Sequence, residues 1–116
     1  MRTTEERRWH YRVEYPERAT PFFDFRVGSA PVLDLSELGL RFDVPDGAVV
    51  PALHTELEGV LRLHEARKVT VKVIVARTNG RQVSCRILPS GIPLNVIFAE
   101  QRWLRLRYPL RFRAAS

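Results

Sequence analysis

Between residues 68 and 88 hydrophobic and polar side chains alternate with a period of two. Val69, Val71, Val73 and Val75 interleave with Thr70, Lys72 and Ile74; past Asn79-Gly80, Val83, Cys85 and Ile87 interleave with Ser84 and Arg86. Such alternation sends one set of side chains to a core and the other to solvent. Two such runs joined by Asn-Gly predict a β-hairpin with positive φ at both turn residues. Residues 55–64 alternate in the same way, with Leu57, Gly59, Leu61 and Leu63 on one face. Upstream, an aromatic strand is predicted over residues 22–27. Another, over 31–36, turns into a strand over 40–44. Residues 94–98 read as a last strand, and 99–108 as the only helix, which stops before Pro109.

Six or seven short strands followed by one helix predict an all-β fold, a small antiparallel barrel. Its expected layout over residues 1–116 is a flexible, charged arm (1–12), the barrel (19–99) and a terminal helix (100–108). That helix is expected to cover an open end or flank of the barrel with Trp103, Leu104 and Leu106.

Composition agrees with one domain. The chain has 116 residues, 45% of them hydrophobic, enough for a core without staples. No apolar run approaches the ~20 residues that cross a bilayer. The charged start from Met1 to Arg8 leads into no signal core, so a cytoplasmic protein is expected. Cys85, the one cysteine, excludes an internal disulfide framework and a cysteine-based metal cluster. Between Val83 and Ile87 on its strand face it is expected to be buried and inert. The formal net charge is +6, and only Lys68 and Lys72 are lysines. The arginine bias has two explanations that composition leaves open: the codon usage of the source, or recognition of guanine edges and phosphates by guanidinium forks.

Enzyme signatures are missing. There is no Gly-rich phosphate loop, no nucleophile elbow and no helix-borne histidine pair. His10, His54 and His64 lack metal-ligand spacing, and the carboxylates are scattered. No catalytic residue, metal or cofactor is expected. Two short constellations remain. Arg7, Arg8 and Arg12 crowd the N-terminal arm, and Asp34-Leu35-Ser36-Glu37-Leu38-Gly39 lies at a strand-turn-strand junction. In an alternating strand Asp34 and Ser36 share one side while Leu33 and Leu35 face the core, and Gly39 permits a tight turn. A carboxylate can accept from the N1–H and N2 amine of guanine. An arginine fork can donate to O6 and N7.

In this order, an Arg-x-x-x-Arg arm (Arg8, Arg12) followed by Asp-x-Ser-x-x-Gly (Asp34, Ser36, Gly39) resembles the PilZ family over roughly the whole chain. The resemblance implies a PilZ-like barrel that binds cyclic di-GMP. Arg8 and Arg12 would grip guanine and phosphate, Asp34 and Ser36 would hold guanine, and Gly39 would shape the turn. It also makes Arg7, the residue before the first motif arginine, compatible with an intercalated ligand dimer. Trp9 or Tyr11 could stack on a base or serve packing equally well. One departure from the family is the approach to the final strand, Ser90-Gly91-Ile92-Pro93-Leu94, where Pro93 makes an irregular or edge start expected.

The function expected is therefore that of a cyclic di-GMP receptor, signalling to an unidentified effector protein as its arm becomes ordered. One alternative is a basic barrel for single-stranded nucleic acid, using residues 102–113 with Trp103, Tyr108 and Phe112. The modest charge and the acidic residues in mid-chain weigh against nucleic acid. A second alternative is a PilZ-fold interaction adaptor without ligand.

Overall fold

The computed structural model describes residues 12–26, 28–89 and 91–109. Among the described residues there are seven strands: β1 (Val13–Glu14), β2 (Phe22–Phe25), β3 (Gly28–Leu35), β4 (Gly39–Asp43), β5 (Glu56–Arg62), β6 (Lys68–Asn79) and β7 (Gln82–Ile87). Their order is β1-β3-β2-β5-β6-β7-β4, antiparallel throughout, and a further β3–β4 pairing closes six of them into a barrel. Closure removes the exposed edges that an open sheet this small would carry. β1 stands outside the ring, paired with the end of β3.

The alternating runs form the barrel wall, as their pattern predicts. Val71, Val73, Val75, Val83, Cys85 and Ile87 are buried. Burial pushes the Cys85 thiol up to about 12, so it is protonated and inert near neutral pH. Phe23, Phe25 and Phe42 pack ring against ring inside, with centroids 5.0–5.4 Å apart. Gly59 lets β5 pass this cluster, because a Cβ there would collide with the Asp24 carbonyl and stand 2.7 Å from the Phe23 ring.

Four local expectations are corrected. The β6–β7 turn is Gly80-Arg81, with Asn79 paired to Gln82 in the ladder. Only Gly80 has positive φ (62°), which a glycine-first two-residue turn supplies without help from Asn79. In β3 a bulge between Val32 and Asp34 shifts the phase, so Val32 and Leu35 are buried and Leu33 is only half-buried. Residues 94–98 are not a strand. They begin helix α1 (Leu94–Arg107), so the barrel ends at Ile87, not at residue 99. Pro93 precedes this helix with φ −57°, where its missing N–H costs nothing. Finally, α1 buries Ile97, Glu100 and Leu104 at helical spacing, while Leu106 is 74% exposed and takes no part in the covering face. No helix among the described residues is long and apolar enough to cross a membrane.

Glu100 fastens α1 to the barrel. It is completely buried, and each carboxylate oxygen accepts two hydrogen bonds. Oε1 takes the Tyr15 hydroxyl at 2.8 Å and His64 Nδ1 at 2.9 Å. Oε2 takes the His64 backbone N–H at 3.1 Å and Arg67 Nη2 at 2.8 Å. A carboxylate only accepts, so His64 carries its proton on Nδ1 here. Burial first, then the neighbouring carboxylate, raise the Tyr15 phenol well above its ordinary value, so it remains a donor. The 64–66 turn reaches Glu100 with left-handed backbone at Glu65 (φ 58°) and Ala66 (φ 59°). Such conformations cost about 1 kcal/mol or more each, which these contacts offset. Trp103 stacks on the His64 ring at 3.7 Å, and Arg107 lies 4.2 Å from the Trp103 centroid.

Removing this carboxylate strands four donors in the interior. Glu100→Ala is expected to destabilise the protein by about 3 kcal/mol or more, and Tyr15→Phe by about 1 kcal/mol. Urea denaturation followed by circular dichroism checks both. A Glu100→Ala midpoint equal to wild type would contradict the role given to this cluster.

Candidate functional site

The antiparallel register of β1 on β3 pairs Val13 with Leu35 and Glu14 with Asp34. Arg12 directly precedes this pairing on one strand and Ser36 directly follows it on the other. Arg12, the described member of the first motif, thus lies at the same end of β3 as the second motif. Asp34 and Ser36 are buried polar residues; with Glu100 they make up that class among the described residues. Interiors rarely take polar side chains without partners or purpose.

Asp34 has a partner. Arg41 lies directly across from it on β4, donates from Nε to Oδ2 at 2.7 Å and holds Nη2 in an ion pair 2.7 Å from the same oxygen. Its third nitrogen, Nη1, donates to Gln82 Oε1 at 3.3 Å. Arg12 Nη2 donates to Glu14 Oε1 at 2.9 Å, so the two paired carboxylates on this corner each hold an arginine. Ser36 opens a turn in which its own N–H donates to the Gly39 carbonyl at 2.9 Å. The turn is latched from the far side, where Ile87 N–H donates to Leu38 O and Ile92 N–H to Glu37 O.

Gly39 leaves space beside Ser36. It lies within β4, is absent from the positive-φ residues, and closes the preceding turn by accepting the Ser36 N–H at its carbonyl. A Cβ at this position would stand 3.2 Å from Ser36 Oγ, crowding the hydroxyl. Across from Gly39, Arg86 on β7 is exposed. It edges a shallow recess with Leu38, Ile87, Leu88 and Pro89. Directly paired residues share a face, so Arg86 flanks the space that Gly39 leaves open.

The structure therefore brings together Arg12, Asp34, Ser36 and Gly39. Arg7 and Arg8, with Trp9, His10 and Tyr11, lie outside the described residues, as does the proposed flexibility of the arm. Arg8 is joined to Arg12 by at most about 14 Å of extended chain. Sequence reasoning missed Arg41 and Arg86. Arg41 carried a usable signal, since it follows Gly39 by two in an alternating strand and must share its face. Arg86 could be placed only once the β4–β7 register was known. Chemically, the corner offers a carboxylate acceptor, a hydroxyl and several guanidinium forks around one opening. That set suits a ligand with a planar donor-acceptor edge and an anionic group.

Other candidates do different work. His64 is part of the Glu100 cluster, and His54 is exposed on a loop at φ 69°. Among the described residues no group of three or more His, Cys, Asp or Glu could hold a metal ion. Trp103, a stacking residue in the nucleic-acid alternative, already carries His64 and Arg107 on its ring. Arg111, Phe112 and Arg113 lie outside the described residues.

Comparison with known proteins agrees with this fold. No curated protein sequence matches the chain. Among solved structures, the Bacillus subtilis inhibitor of motility (MotI/DgrA) is similar in fold, with a TM-score of 0.59 at 16% sequence identity. The similarity covers 86% of this chain and 50% of that one, so the chain spans about half the length of that structure. The family model described as "PilZ domain" matches residues 6–97, which include both motifs. On that match the chain belongs to the PilZ domain family.

Proposed function

We propose that this protein is a receptor for cyclic di-GMP that passes the signal to an effector protein. The observation that supports the reading is the β1–β3 register, which pairs Val13 with Leu35 and Glu14 with Asp34, the residues next to Arg12 and Ser36. Cyclic di-GMP binding is the known role of the PilZ family, and all five motif positions are intact in this chain. Arg8 and Arg12 grip guanine and phosphate, Asp34 and Ser36 hold the guanine edge, and Arg7 supplies a further donor. The molecule acts by binding, not by catalysis.

Transmission follows from what lies next to the site. Arg12 is three residues from Tyr15, whose hydroxyl is bonded to Glu100 on α1. A ligand that draws the residues before β1 onto the barrel acts on the same short strand that anchors the helix. The surface formed by arm and helix is then what an effector reads.

Calorimetric titration tests the reading. Cyclic di-GMP is expected to bind at micromolar or tighter affinity, with GTP and cyclic GMP much weaker. Arg8→Ala and Asp34→Ala should each weaken binding by about 2 kcal/mol while the protein stays folded. Absence of heat with folded protein at high micromolar ligand would favour a ligand-free adaptor. A steeply salt-dependent affinity for any single strand would favour nucleic acid. Gly39→Ala separates site from scaffold. With no left-handed backbone to strain, its melting temperature should stay near wild type, while crowding of Ser36 Oγ should lower affinity about 10-fold. Unchanged affinity in Gly39→Ala would contradict the role given to that opening.

A further inference from the structure

Arg41 belongs to neither motif, yet it is the residue that holds Asp34. Its three nitrogens are all committed: Nε and Nη2 to Asp34 Oδ2, each at 2.7 Å, and Nη1 to Gln82 Oε1 at 3.3 Å. The partners stand on β3 and β7 with Arg41 between them on β4, so the fork is braced from both neighbouring strands. The Asp34 side chain is only 9% exposed, which leaves little water to orient it. Both arginine contacts land on one oxygen, and among the described residues no donor reaches Oδ1. A carboxylate gripped by one oxygen presents the other in a set direction.

Building on the receptor reading above, we infer that Arg41 is a positioning residue: it locks Asp34 so that Oδ1 meets the N1–H and N2-amine edge of guanine. That makes the Arg41–Asp34 pair the element that selects guanine over a base lacking the amine. A fork is needed for this. Lysine would offer a point charge on a flexible stem and could not fix the carboxylate plane while reaching Gln82. Selectivity of this kind rests on orientation, because a carboxylate free to rotate follows whichever donor the ligand retains.

The test measures affinity for cyclic di-GMP and for cyclic di-IMP, its inosine analogue, which lacks the N2 amine. Wild type, Arg41→Gln, Arg41→Lys and Asp34→Asn are compared, each verified as folded by its thermal transition. Wild type should prefer the guanine ligand by about 10-fold, the worth of one hydrogen bond. Both Arg41 variants and Asp34→Asn should fall to nearly no preference, and the Arg41→Gln/Asp34→Asn double variant should lose no more than Asp34→Asn alone. A residue that merely supported the barrel would weaken both ligands together and leave the ratio untouched. A wild-type ratio in Arg41→Gln, or a wild type that takes both ligands equally, overturns the assignment and leaves the receptor reading standing. A wild type that binds neither ligand removes the receptor reading and this assignment with it.

Discussion

A single buried carboxylate holds three distant parts of the chain in one place. Glu100 belongs to α1, Tyr15 follows β1, and His64 and Arg67 flank the turn between β5 and β6. Burying an ionised carboxylate costs several kcal/mol unless its lone pairs are filled. Here four donors fill them, two per oxygen. The arrangement is stable as a set and costly to dismantle piece by piece, since each missing donor leaves a buried charge less well compensated. It also explains why an otherwise unfavourable turn with two left-handed residues persists at 64–66.

The site depends on this constraint because β1 is so short. Two residue pairs, Val13 with Leu35 and Glu14 with Asp34, attach it to β3. A two-residue pairing at the margin of a sheet has little stability of its own. Val13 buried in the core on one side and Tyr15 bonded to Glu100 on the other keep the strand in register. A slip of one residue would turn Arg12 away from Ser36 and Val13 out of the core. The placement of Arg12 at this end of β3 is thus fixed by packing and hydrogen bonding some distance from the residues proposed to touch ligand. The same linkage gives a physical route from the proposed site to the helix surface.

Much of the barrel could be read from alternation alone, because Val69 to Val75 and Val83 to Ile87 face a core that demands a period of two. The nearness of Arg12 to the Asp34–Gly39 segment could not be read locally, since it depends on the pairing of β1 with β3. Where sequence reasoning failed, two structures competed for one pattern. Leu94, Val96, Ile97 and Phe98 read in sequence as a strand, whereas they form the apolar start of α1 directly after Pro93. Glu100 stands in sequence beside several arginines, yet it is completely buried. Nothing local shows that Tyr15, His64 and Arg67 converge on it. Arg41 was hidden for a related reason, since an arginine on a strand's outer face gains meaning only once Asp34 is known to lie opposite.

The central claim is that one corner of the barrel, assembled by β1 on β3 and edged by β4, receives cyclic di-GMP. Backbone amide resonances followed during titration with cyclic di-GMP test it most directly. The account predicts shifts that saturate together at residues 12–15, 34–36 and 39–41, extending to Glu100 through Tyr15. Shifts confined to the arginine-rich end of α1, or no shifts at saturating ligand, would contradict it.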